Sequence, residues 1–194
     1  MVPDLIVLNG GSSSGKTTIA RCLQTLLPDP WLRFSIDDLI DALPPNLDGR
    51  DDAGVSYAED GEVELGEDFR QLEAAWLAGL VAVVRSGTQI VLDDVFLDSS
   101  VSQARLRSHL EGLTVFWVGV RCRADVATAR EATRRDRTPG MAAHQAERVH
   151  LGVHYNLQVH SDDHSPLTCA RRIAAGAGEG GVVVGVDLEV VVDA

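Results

Sequence analysis

Five apolar, β-branched runs punctuate the chain, and stretches of helical spacing separate them. The first is Asp4-Leu5-Ile6-Val7-Leu8-Asn9. The second, Trp31-Leu32-Arg33-Phe34-Ser35-Ile36, stops at Asp37-Asp38, and the third, Thr88-Gln89-Ile90-Val91-Leu92, at Asp93-Asp94. The fourth and longest runs from Leu113 to Val120, and the fifth and weakest is Leu157-Gln158-Val159-His160. Between them, Phe69, Leu72, Trp76, Leu80, Val83 and Val84 recur at helical spacing, which predicts a helix over 69–85. Helices are also predicted for 17–27, 101–110, 124–135, 141–151 and 167–175. Strands that are apolar throughout and alternate with helices specify a parallel α/β sheet covered on both faces. Ligands of such sheets lie beyond the carboxyl ends of the strands, so the groups at those ends should share one cleft.

Two segments break the pattern. Residues 44–68 are polar and acidic after Pro44-Pro45, and the length of this connection marks it as functional, read here as an acceptor-side flap. Beyond Gly176 a glycine-rich lead precedes Val182-Val183-Val184, either an added edge strand or a flexible tail. The expected division is a main domain over 1–176 and an extension over 177–194.

The chemistry sits directly after the first strand. Gly10-Gly11-Ser12-Ser13-Ser14-Gly15-Lys16-Thr17 matches G-x-x-x-x-G-K-[ST], the P-loop pattern, between a predicted strand and a predicted helix. Lys16 is the chain's single lysine beside sixteen arginines. Its ammonium is a point charge that can follow a phosphoryl group in motion, which a planar guanidinium does less well. Backbone amides from Gly10 through Thr18 are expected to hold the phosphates of ATP, with the Thr17 hydroxyl on Mg²⁺.

Asp37, at the end of the second strand, can accept a proton from an attacking hydroxyl, although Asp37 or Asp38 would equally suit a helix N-cap. Asp93 is expected to serve Mg²⁺ directly or through water, with Asp94 beside it and not separable from it by sequence. Arg130, Arg134 and Arg137 share one helical face before Pro139-Gly140, which predicts a lid over about 130–140 that neutralises the moving phosphoryl group and excludes water. Phe34 and Phe96 flank the strand ends, where an aromatic acceptor could stack. His150 and His154 stand at i, i+4, but no H-E-x-x-H accompanies them, so a surface face and no zinc are expected.

Composition narrows the partners. A net charge of −12 argues against nucleic acid and anionic membranes, both of which need a basic face. The charge of a triphosphate must therefore be met locally. Cys22, Cys122 and Cys169 are odd in number and far apart, as expected for buried thiols of a reduced, cytoplasmic protein. The N-terminal apolar run is too short for a signal peptide, and no stretch approaches a membrane span.

With these residues in place, the chain resembles the chloramphenicol phosphotransferases, P-loop kinases related in fold to shikimate and adenylate kinases. The likeness rests on Ile6–Lys16, Arg21-Cys22-Leu23-Gln24, Leu27-Pro28-Asp29-Pro30-Trp31-Leu32, Asp93-Asp94-Val95-Phe96-Leu97, Phe116–Cys122 and Gly140-Met141-Ala142-Ala143. The resemblance implies a three-layer P-loop NTPase fold with a five-stranded parallel sheet, ordered 2-3-1-4-5 in the sequence of the predicted strands. It implies transfer of the γ-phosphate of ATP to the primary hydroxyl of chloramphenicol, inactivating the antibiotic. Asp37 would be the base, and Arg134 and Arg137 the catalytic lid arginines beside Lys16, with Arg130 a weaker match. Asp37, Asp94, Phe34 and Phe96 are the expected acceptor contacts, and assembly into a homo-oligomer is left open. Residues 44–67 lie outside the likeness, so another hydroxylated metabolite or antibiotic is the nearest alternative acceptor. A nucleotide-gated switch is the alternative of a different class. It lacks a guanine-specifying N-K-x-D, the one lysine being in the P-loop.

Overall fold

Leu5–Asn9 forms β1 with all five residues buried, because the side chains from Leu5 to Leu8 meet apolar neighbours on one face of the sheet or the other. The computed structural model describes residues 2–47, 53–58, 60–133, 139–179 and 182–183. After β1 the chain turns into α1 (Lys16–Leu26), then β2 (Trp31–Ser35) and a short α2 (Ile36–Asp41). An antiparallel hairpin, β3 (Val55–Tyr57) with β4 (Val63–Leu65), precedes the long α3 (Glu67–Arg85). There follow β5 (Gln89–Asp94), α4 (Ser100–His109), β6 (Thr114–Arg121), α5 (Ala124–Glu131), α6 (Met141–Arg148), β7 (Leu157–His160) and α7 (Pro166–Glu179). A two-residue β8 (Val182–Val183) pairs antiparallel with the start of β6.

The main sheet runs β2-β5-β1-β6-β7, all parallel. This is the expected 2-3-1-4-5 order, renumbered because the hairpin inserts two strands of its own. Each face buries a separate apolar cluster. One is built on Leu77, Leu80, Val81 and Val84 of α3 with Leu106 of α4, and the other on Ile19 and Leu23 of α1 with Ile173 of α7. Register then sets the site. Ser35 and Leu8 both lie level with Asp93, and Asn9 lies level with Asp94, so the chemistry-bearing ends of three strands form one rim.

The structure departs from the sequence expectations at particular places. Residues 44–68 are no plain loop, since they hold the hairpin, whose Val55, Tyr57, Val63 and Leu65 join Leu39 and Phe69 in a third apolar cluster. Helix α5 ends at Glu131, short of 135, and α7 runs on past 176 to Glu179. His150 is buried, where a surface position was expected. Its ring Nδ1 lies 2.6 Å from the Tyr155 hydroxyl, and burial pushes its pKa down to about 3, so the imidazole is neutral. Among the described residues no helix is long and apolar enough to cross a membrane.

Candidate active site

The loop from Gly10 to Gly15 wraps the N-terminus of α1, and Gly15 adopts φ +88°, a left-handed conformation that glycine takes without strain. Lys16 is buried at the first position of the helix. Its Nζ donates to the carbonyls of Gly10 (2.8 Å) and Gly11 (3.0 Å) and stands 3.9 Å from Asp93 Oδ1. The ammonium is thus stored inside the loop, near a carboxylate. The hydroxyls of Ser12, Ser13 and Ser14 are buried without hydrogen-bond partners among the described residues. Such groups fit a loop that takes phosphate oxygens.

Thr17 Oγ1 donates to Asp93 Oδ2 at 2.7 Å, which puts a hydroxyl and a carboxylate oxygen side by side at the mouth of the loop. Two hard oxygen donors adjacent to a phosphate-binding loop suit Mg²⁺. Burial raises the pKa of Asp93, with Lys16 and the Thr17 hydroxyl acting against it. A divalent cation would favour the ionised form further. Asp94 turns to other partners: Oδ1 accepts from its own neighbour's amide, Val95 N, at 2.7 Å. Burial, reinforced by the charge of Glu73, pushes its carboxyl up to about 7. The two adjacent aspartates therefore have different partners in the structure.

Asp37 and Asp38 separate in the same way. The N-cap of α2 is Ser35, whose hydroxyl accepts from Asp37 N (3.3 Å), while Asp38 Oδ2 accepts from Ser35 N (2.7 Å) in a capping box. Capping occupies Ser35 and Asp38, and Asp37 lines the cavity.

That cavity, about 930 Å³, runs from Ser12, Ser13, Gly15, Lys16, Thr17 and Thr18 past Asp37, Asp93 and Asp94 to an apolar wall. Tyr57, Val63 and Leu65 of the hairpin, Phe69 and Leu77 of α3, and Phe96 build the wall. Two of the cavity's arginines are engaged: Arg70 contacts Glu73 (3.1 Å) and Asp98 (2.7 Å), and Arg105 contacts Asp98 (3.1 Å), while Arg21 lines the cavity beside the P-loop helix.

Other expected residues fall elsewhere. Phe34 packs against the apolar core and does not line the cavity, because its position within β2 turns it toward α3. Arg130 lies behind the loop. Its guanidinium donates to the Ser161 carbonyl (2.7 Å), the Ser161 hydroxyl (3.2 Å) and the Ser13 carbonyl (3.5 Å), so it braces the loop from outside the cavity. Gly10, Gly11 and Ser14 frame the loop without lining the cavity. Arg134 and Arg137 lie outside the described residues.

Several supporting residues gave no sequence signal. Asn9, fully buried, donates to the Val149 carbonyl (2.7 Å) and the Tyr155 hydroxyl (2.6 Å) and accepts from Phe96 N (2.9 Å), tying the rim of β1 to that of β5. The buried carboxylate of Glu131 accepts from Gly140 N (2.9 Å) and Ala142 N (2.7 Å), which secures the start of α6. An asparagine ahead of a P-loop and a glutamate at a helix end read as ordinary surface chemistry until the partners are known.

Comparison with known proteins agrees with this arrangement. Residues 3–177 match the family described as chloramphenicol phosphotransferase-like protein. A Mycobacterium tuberculosis protein provisionally named an O-phosphotransferase is 31% identical over 166 residues, 80% of this chain and 73% of the relative. Among solved structures, the Deinococcus radiodurans tunicamycin resistance protein superposes with a TM-score of 0.65 at 21% identity, covering 92% of this chain and 96% of its own. A sugar kinase from Janibacter superposes with a TM-score of 0.64 at 17% identity, covering 90% and 94%. At these identities the two structures speak for the fold, and the match over residues 3–177 speaks for the lineage: the chain belongs to the chloramphenicol phosphotransferase-like family of P-loop kinases.

Proposed function

We propose that this phosphotransferase moves the γ-phosphate of ATP to a primary hydroxyl of a small molecule, and that chloramphenicol is that molecule. The carrying observation is that one cavity joins the P-loop, the Thr17–Asp93 oxygens and Asp37 to an apolar, partly aromatic wall. Lys16 would leave the Gly10 and Gly11 carbonyls for the β- and γ-phosphates. Thr17 and Asp93 would hold Mg²⁺, which supplies charge neutralisation on the phosphates when bound. Asp37 would orient the acceptor hydroxyl and take its proton as the new O–P bond forms and the bond to the β–γ bridging oxygen breaks. Arg134 and Arg137 would close over the transfer. The wall offers a site to an aromatic, uncharged acceptor, and Arg70 and Arg105 beside it are already held by Asp98 and Glu73, which favours a neutral drug over an acid. Inactivation of an antibiotic in the cytoplasm follows as the biological outcome.

Asp37→Asn tests the assignment of the base. ATP affinity should stay within about twofold, while kcat falls by roughly 10²- to 10⁴-fold, the usual contribution of a positioned base. Transfer at the parental rate in this variant would remove Asp37 from the chemistry.

A further inference from the structure

Helix α6 brings to the cavity a residue that none of the functional assignments above uses. Gln145 is 4% exposed, yet its side chain lines the cavity beside Met141 and Pro139. Its Oε1 accepts from Ser12 N at 2.8 Å. A backbone amide can only donate, so this bond fixes which end of the carboxamide faces the loop. The other end, Nε2, has no acceptor among the described residues. Nε2 is thus a donor open to the cavity, available to a ligand there.

The placement is braced on both sides. A Cβ on Gly11 would stand 3.1 Å from the Gln145 Cβ, so loop and helix are already in van der Waals contact, and Glu131 holds the helix start through two amides. The donor is therefore preorganised at the edge of the P-loop, on the cavity side. A fixed neutral donor in such a position can stabilise charge that develops in a transition state without reorganising.

We propose that Gln145 is a catalytic residue whose Nε2 donates a hydrogen bond to a non-bridging oxygen of the phosphoryl group being transferred, with its Oε1 locked on the Ser12 amide. This rests on the phosphotransfer reading above. In the step, the acceptor oxygen bonds to the γ-phosphorus and its proton goes to Asp37. The electron pair of the breaking bond leaves with ADP. Gln145 exchanges no proton and supplies only the donor.

Gln145→Glu keeps an acceptor for Ser12 N and replaces the donor by oxygen; Gln145→Met removes both bonds without adding charge. Three quantities are measured on the full-length chain: ADP affinity, affinity for a non-hydrolysable ATP analogue, and kcat for the acceptor that the parental protein phosphorylates. In Gln145→Glu, the added carboxylate should weaken ADP binding less than binding of the analogue. The analogue should bind at least 10-fold more weakly, and kcat should drop by roughly 100-fold, the loss typical of one oxyanion-type donor. Gln145→Met should also lose kcat and the preference for the analogue over ADP. An unchanged kcat in Gln145→Glu overturns the proposal. Equal weakening of ADP and analogue in both variants also overturns it, by reducing Gln145 to a prop for the loop. Failure of the parental protein to phosphorylate any alcohol strikes the phosphotransfer reading itself, while the difference between analogue and ADP still reports on Gln145.

Discussion

Asp94 shows how two adjacent carboxylates acquire different chemistry. Burial and the charge of Glu73 push it up to about 7 from an ordinary 3.8, so the folded chain holds a proton over a range in which the unfolded chain has lost it. Its contribution to stability is then fully present below about pH 4 and is lost as pH rises toward about 7. Asp94→Asn can still accept from Val95 N, and it should raise Tm at about pH 8, with the gain vanishing near pH 4. Thermal melts that coincide at both pH values would show that the carboxyl is not held protonated. The P-loop motif was legible in the sequence, and the structure sets it between β1 and α1 as its spacing predicts. Asp37 was legible as a candidate only. That the cap is built from Ser35 and Asp38 is side-chain geometry that neighbouring letters do not encode. His150 was misplaced because polarity alone suggests exposure, whereas the hydroxyl of Tyr155 gives its ring a buried partner.

Among the elements, the five strands of the main sheet and the longer helices followed from periodicity, since each buries a continuous apolar stripe or run. The β3–β4 hairpin did not, because three-residue strands set in a glycine- and acid-rich segment carry too short a pattern. Its turn nevertheless meets α6 at close quarters. Gly61 has φ +86°, and a Cβ there would stand 2.3 Å from Met141 N and 2.4 Å from the Gly140 carbonyl carbon. Gly61→Ala thus combines a left-handed alanine with a clash against backbone, and the hairpin must lift from the helix. Since the hairpin carries Tyr57, Val63 and Leu65 of the apolar wall, the acceptor KM should rise at least 10-fold while the KM for ATP changes little, a loss of about 1.4 kcal/mol in acceptor binding. Steady-state kinetics with each substrate varied in turn would decide it. An equal rise in both values would mean that the hairpin supports the whole cleft.

On the scale of the molecule, a chain of net charge −12 gathers its P-loop and the carboxylates around it at the carboxyl ends of the parallel strands. Parallel strands in register put Ser35, Asn9 and Asp93 on a common rim, and the chain order of the strands places the P-loop at its centre. The apolar wall of the cavity takes its shape from the hairpin, α3 and Phe96, brought together only by tertiary packing. For that reason the reaction class was legible in the sequence well before the substrate. Incubation of the full-length protein with ATP, Mg²⁺ and chloramphenicol, followed by mass analysis of the drug, tests the substrate and the reaction together. A phosphorylated product that disappears in Lys16→Ala is expected. Unmodified drug beside a protein that binds ATP with ordinary affinity would contradict chloramphenicol as the acceptor.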